Sequence, residues 1–443
     1  MAPSIKSTDD LSKKLKSFSL SAMASKLKDG VRESRGKNKE NELIHTYLRD
    51  KTDTEDVPAF TFYPEVKHTI FTDFSRQDFE RLERLVAEEP ECVQGIDTLC
   101  TNAKFPKKKQ EDENKREAMG TGYTWERLTY GALDMDQPLI KQWHALLGRF
   151  GNLKHIGINT TIDGYAPKDD YRRSCAEISD SEAFMITMLF VRNSKLPVAS
   201  LDICGWNLYT GFKYGGLADE EREHESGIVQ TLFTGPEADW PHLESLTIRS
   251  GLCWKGDRFQ SLVLRSPNLK RLTLAEVRAG MYLRDLANNG EKITIEEFNL
   301  VRDTISCMDN SLSFYLQQFL KSQRKTMKRL ALSHANVGPC MKLLELLKTD
   351  GFSALEEITL DKVEEYTCQK QLHFAHSPGK PLVSGPPGGK LSWGLYQFRD
   401  TKYYSTVSYS GPGMEDVLGQ LAQKARVIQT GFGVCCDEGV DQF

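Results

Sequence analysis

The sequence predicts an α/β fold, an irregular solenoid of parallel strands and helices behind a disordered basic N-terminal tail. Three observations predict it. One six-residue apolar pattern recurs seven times between residues 153 and 360, the segments between recurrences carry helical periodicity, and the first ~56 residues are too polar to bury a core. The chain has 443 residues, 39% hydrophobic and 27% charged, an ordinary balance for a folded protein that excludes collagen-like and wholly disordered classes. Its net charge of -4 argues against whole-molecule attraction to nucleic acid. The longest apolar run, Ala183 to Val191, is far short of the ~20 residues that span a bilayer, so no integral membrane span is expected. Cysteines without a dense framework of close spacings, and a start without a continuous apolar segment, predict reduced thiols in the cytoplasm or nucleus.

Residues 1–56 are rich in Lys, Arg and Ser. Leu11, Leu15, Phe18 and Ala22 recur at helical spacing, which allows one basic amphipathic helix that could touch a membrane or a second partner. Residues 57–150 read as an N-terminal capping segment. In it Phe60, Phe62 and Val66 surround Tyr63-Pro64, and Phe79, Leu82, Leu85 and Val86 follow a 3.6-residue period. That period predicts a helix from Arg76 to Glu88, led in by Asp73-Phe74-Ser75 and ended by Pro90. Residues 104–116 form a mixed-charge block read as an exposed loop.

The repeating array is expected over 151–365. Its hexads are Leu153-x-x-Ile156-x-Ile158, Val198-x-x-Leu201-x-Ile203, Leu243-x-x-Leu246-x-Ile248, Leu269-x-x-Leu272-x-Leu274, Ile295-x-x-Phe298-x-Leu300, Met327-x-x-Leu330-x-Leu332 and Leu355-x-x-Ile358-x-Leu360. The last four spacings, 26, 26, 32 and 28 residues, lie in or near the range of leucine-rich repeats, while the two 45-residue steps imply insertions or a missed unit. Between hexads, Ser179 and Glu182 are placed as a capping box opening a helix to Val191. Leu312, Tyr315, Leu316, Phe319 and Leu320 form one stripe, and Met341, Leu344 and Leu347 another, with Gly351 as a C-terminal cap. Alternation along a strand sends hexad positions four and six under the helix and the residues between them to the opposite face. The candidate partner-binding residues on that face are Asn159, Asp202, Thr247, Arg249, Arg271, Thr273, Asn299, Arg329, Thr359 and Asp361, with Trp206, Trp240 and Trp254 as candidate anchoring aromatics. Residues 366–443 are expected to be an irregular C-terminal cap and tail.

The stretches FERLERLVAEEPECVQGIDTL, SKLPVASLDI, SPNLKRLTL and ALEEITL together resemble a fungal family of F-box and leucine-rich-repeat-like proteins. The resemblance implies a substrate receptor of a cullin-type ubiquitin ligase, in which an F-box binds the ligase adaptor and the repeats hold the substrate. Residues 1–58 contain no Leu-Pro opening of an F-box, so no adaptor-binding residue carries over. Other chemistry is not expected. Gly385 to Lys390 (GPPGGK) lacks the first glycine and the final hydroxyl of a phosphate loop, and two prolines remove amides that would cradle phosphate. His373 and His376 with Cys368 lack a fourth metal ligand and read as a surface pair. The expectation is a protein that is not an enzyme, binds no metal or cofactor, and docks a partner protein on its inner strand face. A scaffold with no ubiquitin role is the alternative.

Overall fold

The computed structural model describes residues 69–103, 122–128, 133–160, 178, 180–204, 239–251, 256–277, 279–301, 311–365, 370–375, 382–398 and 401–429. The basic tail, residues 57–68 and the charged block 104–116 lie outside them.

The chain enters through β1 (Thr69–Thr72) and α1 (Arg76–Glu88). The helix has the expected bounds because Ser75 caps it, its side chain accepting from the Asp78 amide, and because Leu82, Leu85 and Val86 share one buried face. Pro90 does more than stop this helix. It occupies the first position of α2 (Pro90–Gln94), where a missing N–H costs nothing. Strand β2 (Thr98–Ala103) follows, then α3 (Pro138–Leu147), β3 (His155–Thr160), α4 (Asp180–Ser194) and β4 (Ser200–Cys204). Next come β5 (Ser245–Gly251), α5 (Gly256–Leu264), β6 (Arg271–Val277), α6 (Ala279–Asn288) and β7 (Glu297–Val301). The series closes with α7 (Ser311–Gln323), β8 (Arg329–Ser333), α8 (Cys340–Thr349) and β9 (Glu357–Asp361).

Strands β2 to β9 are neighbours in chain order and every adjacent pair is parallel. The register carries hexad position four straight across, from Leu99 through Ile156, Leu201, Leu246, Leu272, Phe298 and Leu330 to Ile358. Position six runs from Thr101 through Ile158, Ile203, Ile248, Leu274, Leu300 and Leu332 to Leu360. Each of these side chains is buried, as are the position-one residues Leu153, Val198, Leu243, Leu269, Ile295, Met327 and Leu355. Burial of each aliphatic side chain contributes about 1.5–3 kcal/mol against chain entropy. The helices supply the other wall, for example through Phe319 of α7, whose ring meets Phe298 edge-on at 5.0 Å.

A backbone device repeats with the hexads. The carbonyl of position two accepts from the amides of positions two and three of the next unit. Asp97, Lys154, Ala199, Glu244, Lys270, Glu296 and Lys328 all do so, at 2.6–3.1 Å. Its first member, Asp97, immediately precedes β2, a strand the hexad pattern misses because Thr101 stands where an apolar residue is required. Thr101 is nevertheless buried, paired with Thr187 of α4 across 3.3 Å. The parallel ladder therefore has eight strands and begins near Ile96, not near residue 151.

Several helix details differ from expectation. Met341 is exposed, and α8 instead buries Cys340 and Leu343 beside Leu344 and Leu347. Gly351 does take the left-handed conformation (φ 67°) after that helix. Ser179 lies outside the described residues, while Glu182 is fully buried and takes the Arg127 guanidinium at 2.6 Å.

Within 366–443, where an irregular cap and tail are expected, the described residues 370–375, 382–398 and 401–429 are mostly regular, and the rest of that span lies outside the described residues. β10 (Glu364–Glu365), β11 (Lys370–Ala375), β12 (Lys390–Phe398), β13 (Thr401–Ser410), α9 (Met414–Lys424) and β14 (Ala425–Gln429) extend the sheet in antiparallel fashion. β13 pairs with β9, with β12 and with β11, and β11 also pairs with β14. Among the described residues all fourteen strands form one sheet, which is not closed. Gly385 and Gly389 of the GPPGGK stretch pack on the ring of Tyr409, where a Cβ would stand 2.9 and 2.4 Å from its nearest atoms. The Tyr409 hydroxyl donates to the Pro412 carbonyl, so this glycine cluster builds the end of the sheet.

Candidate functional site

The face of the sheet away from the helices carries hexad positions three, five and seven. Its N-terminal half is dry. Ser200, Asp202, Thr247 and Thr273 are only 3%, 1%, 7% and 6% exposed, and Cys100 and Ala275 are buried beside them. Asp202, Thr247 and Thr273, expected at a solvated docking surface, are therefore not available to a partner. Arg249 is committed as well, its guanidinium donating to Asp202 at 2.7 Å with the side chain 18% exposed. Of Asn159 the structure places the backbone in β3 and nothing of its side chain is described. Trp206 and Trp254 lie outside the described residues. Trp240 is buried in the turn before β5, its amide held by the Arg265 carbonyl, which makes it a packing residue and not a surface anchor.

Burial drives the Asp202 carboxyl up from 3.8 to about 6, outweighing the attraction of Arg249. Stability from a carboxyl raised in this way is fully present below its unfolded pKa and is lost as pH rises through the folded value. Between pH 4 and 6.5 the wild type is expected to lose up to about 3 kcal/mol relative to Asp202→Asn. Urea unfolding of both proteins across that range checks it, and parallel stability curves would refute it.

The C-terminal half of the face is open. Across β6, β7, β8 and β9, position three reads Arg271, Glu297, Arg329, Glu357, so the charge alternates at the spacing of neighbouring strands. Arg329 donates to Glu297 at 2.7 Å and lies 3.5 Å from Glu357, yet remains 53% exposed. Position two alternates in phase, as Lys270, Glu296, Lys328, Glu356, and Lys328 pairs with Glu296 at 2.8 Å. The strand entries thus read KR, EE, KR, EE. This pattern is present in the sequence but has no meaning until the register sets the strands side by side, and single-strand analysis passes over it. Each ion pair is exposed and contributes little to stability. Skipping one unit would oppose like charges, so the alternation favours the observed pairing.

Behind this charged row lie Asn299, Ala331 and Thr359, then Val301, Ser333 and Asp361, all half-buried. Asn299 donates to the Thr273 hydroxyl at 3.1 Å, and Thr359 shares a 2.9 Å hydrogen bond with Ser408 of β13. Burial alone would raise the Asp361 carboxyl, but hydrogen bonds from Thr406 (2.5 Å) and Ser333 (2.8 Å) leave its pKa lowered. Asp361 therefore rivets β8, β9 and β13 together more than it offers a free charge. Of the predicted residues, Arg271, Asn299, Arg329, Thr359 and Asp361 share this open face.

Arg329 and Lys328 also border a groove of about 860 Å³ at the entry edge of β8 and β9, floored by Phe352, Leu355, Pro412 and Met414. An apolar floor beside a balanced charged row suits a polypeptide partner better than phosphate, which needs an excess of cations. Among the described residues no group of three or more His, Cys, Asp or Glu could hold a metal ion. His373, expected at the surface, is fully buried in β11 and its pKa is lowered by that burial; His376 and Cys368 lie outside the described residues. No described helix is long and apolar enough to cross a membrane. No protein-family model matches the chain, and no curated protein is detectably similar to it.

Proposed function

We propose that this chain is a non-catalytic protein-binding module, an irregular leucine-rich-repeat-like solenoid that docks a partner protein on the open half of its inner sheet face. The observation that carries the reading is the alternating row Arg271, Glu297, Arg329, Glu357, an exposed set of charges held at fixed spacing by the strands beneath. A partner surface of complementary alternation would gain register and specificity from it, and the adjoining groove offers apolar area for an anchoring side chain. The buried half of the face contributes rigidity. The ubiquitin-ligase role implied by family resemblance needs an N-terminal adaptor-binding segment, which would fall outside the described residues; it is carried by the resemblance alone.

The test is affinity purification from the source cell with wild type and with Arg271→Gln/Arg329→Gln, which removes the two cations without setting like charges on neighbouring strands. The double variant is expected to retain its thermal stability within a few degrees and to bind the captured partner at least about tenfold more weakly. Equal capture by both proteins would place the docking surface elsewhere. Recovery of cullin and adaptor with the wild type is the result expected of a ligase receptor.

A further inference from the structure

The sheet ends at β12 in a way no interior strand does. Among the described residues β12 pairs with β13 alone, leaving the other edge of a nine-residue strand without a partner. Register carries Leu360 of β9 through Val407 of β13 to Trp393 of β12, so Trp393 sits on the helix-covered side of the sheet. Leu360 and Val407 are each 1% exposed there, whereas Trp393 is 49% exposed. Both the backbone edge and a large apolar side chain are thus uncovered at one place. Natural edge strands are commonly protected by charges or proline, yet Lys390–Phe398 contains no proline and a single charge, at its first residue. The irregularity between Gly394 and Leu395 places the extra residue, Ser405, on β13, so β12 itself continues without interruption.

We propose that β12 is a self-association edge, pairing antiparallel with β12 of a second copy about a two-fold axis at Trp393. The strand is close to self-complementary about that residue, which is what an isologous contact requires. Residue 391 falls opposite 395 of the second copy, leucine opposite leucine, and 392 falls opposite 394, serine opposite glycine. Lys390 falls opposite Tyr396, so no like charges meet. Trp393 meets Trp393 of the second copy and regains the cover it lacks. The inner face, which crosses β13 at Ser408 to reach Ser392, then runs on into the second copy and doubles the docking surface.

The test is sedimentation of the full chain from about 1 to about 100 μM. A monomer–dimer equilibrium is expected, with hydrogen exchange of the 390–398 amides slowing as dimer forms. Trp393→Lys is expected to weaken dimerisation at least about tenfold and Trp393→Phe to retain it. If Trp393→Lys folds poorly, concentration-dependent exchange at β12 in the wild type still decides. A monomer throughout, a dimer whose β12 amides exchange as fast as in the monomer, or a dimer insensitive to Trp393→Lys in a folded protein would each overturn the proposal. So would β12 protection that appears only with a different protein bound.

Discussion

Phe298→Ala is expected to lower the unfolding free energy by about 3–5 kcal/mol. Phe298 has no exposure, lies between Leu272 and Leu330 in the position-four row, and packs edge-on against Phe319 of α7. Alanine there removes a ring from the middle of a wall that is continuous on both sides, and neighbouring strands pinned by shared carbonyls cannot close the gap. The aromatic pair contributes about 0.5–1.5 kcal/mol beyond burial. Chemical denaturation measures the total. Hydrogen exchange should accelerate first in β6, β7 and β8 and least in β2, because units in such a stack feel mainly their neighbours. A loss under about 1 kcal/mol, or uniform acceleration across the sheet, would contradict this account of the core.

Gly411→Ala is expected to cost about 3 kcal/mol or more, combining a strained backbone with a steric clash. Gly411 has φ 136°, a region closed to side chains, and a Cβ there would stand 2.7 Å from the Cα of Gly389, which is backbone and cannot swing away. Its amide, just past the end of β13, donates to the Glu356 carbonyl and so adds a further position-two acceptor to the series. Displacement should therefore loosen β12 and β13 from β9 while leaving β2 to β6 intact. Gly351→Ala is the matched control: φ is 67°, nothing lies within 4 Å of the added atom, and the cost should be the conformational term of about 1–2 kcal/mol alone. Equal losses in the two variants, measured by urea denaturation, would show that the contact with Gly389 is unimportant.

Legibility divides along physical lines. The position-four and position-six rows were readable because a strand flanked by a helix must bury alternate residues, and seven of the eight strands wrote that requirement in Leu, Ile and Phe. Strand β2 was hidden because Thr101 meets the same need through a hydroxyl paired with Thr187, a partner 86 residues away that no local window contains. The antiparallel end was hidden for a similar reason. The glycines of GPPGGK read only as an incomplete phosphate loop until Tyr409 is placed against them. For the candidate site, alternation grouped these residues on one face but could not tell its wet half from its dry half, since Thr247 and Thr359 occupy equivalent hexad positions and differ in burial.

The sequence by itself determined the repeating strand, the helices between, and which residues of each strand share a face, because these follow from periodicities of two and 3.6 residues along one chain. Only the tertiary structure decided that eight strands stand in chain order, that KR and EE entries become a charged row, that Asp202 is buried while Arg329 is open, and that Trp393 ends the sheet uncovered. Those facts depend on which strand lies beside which, and that is fixed by contacts between residues far apart in the chain.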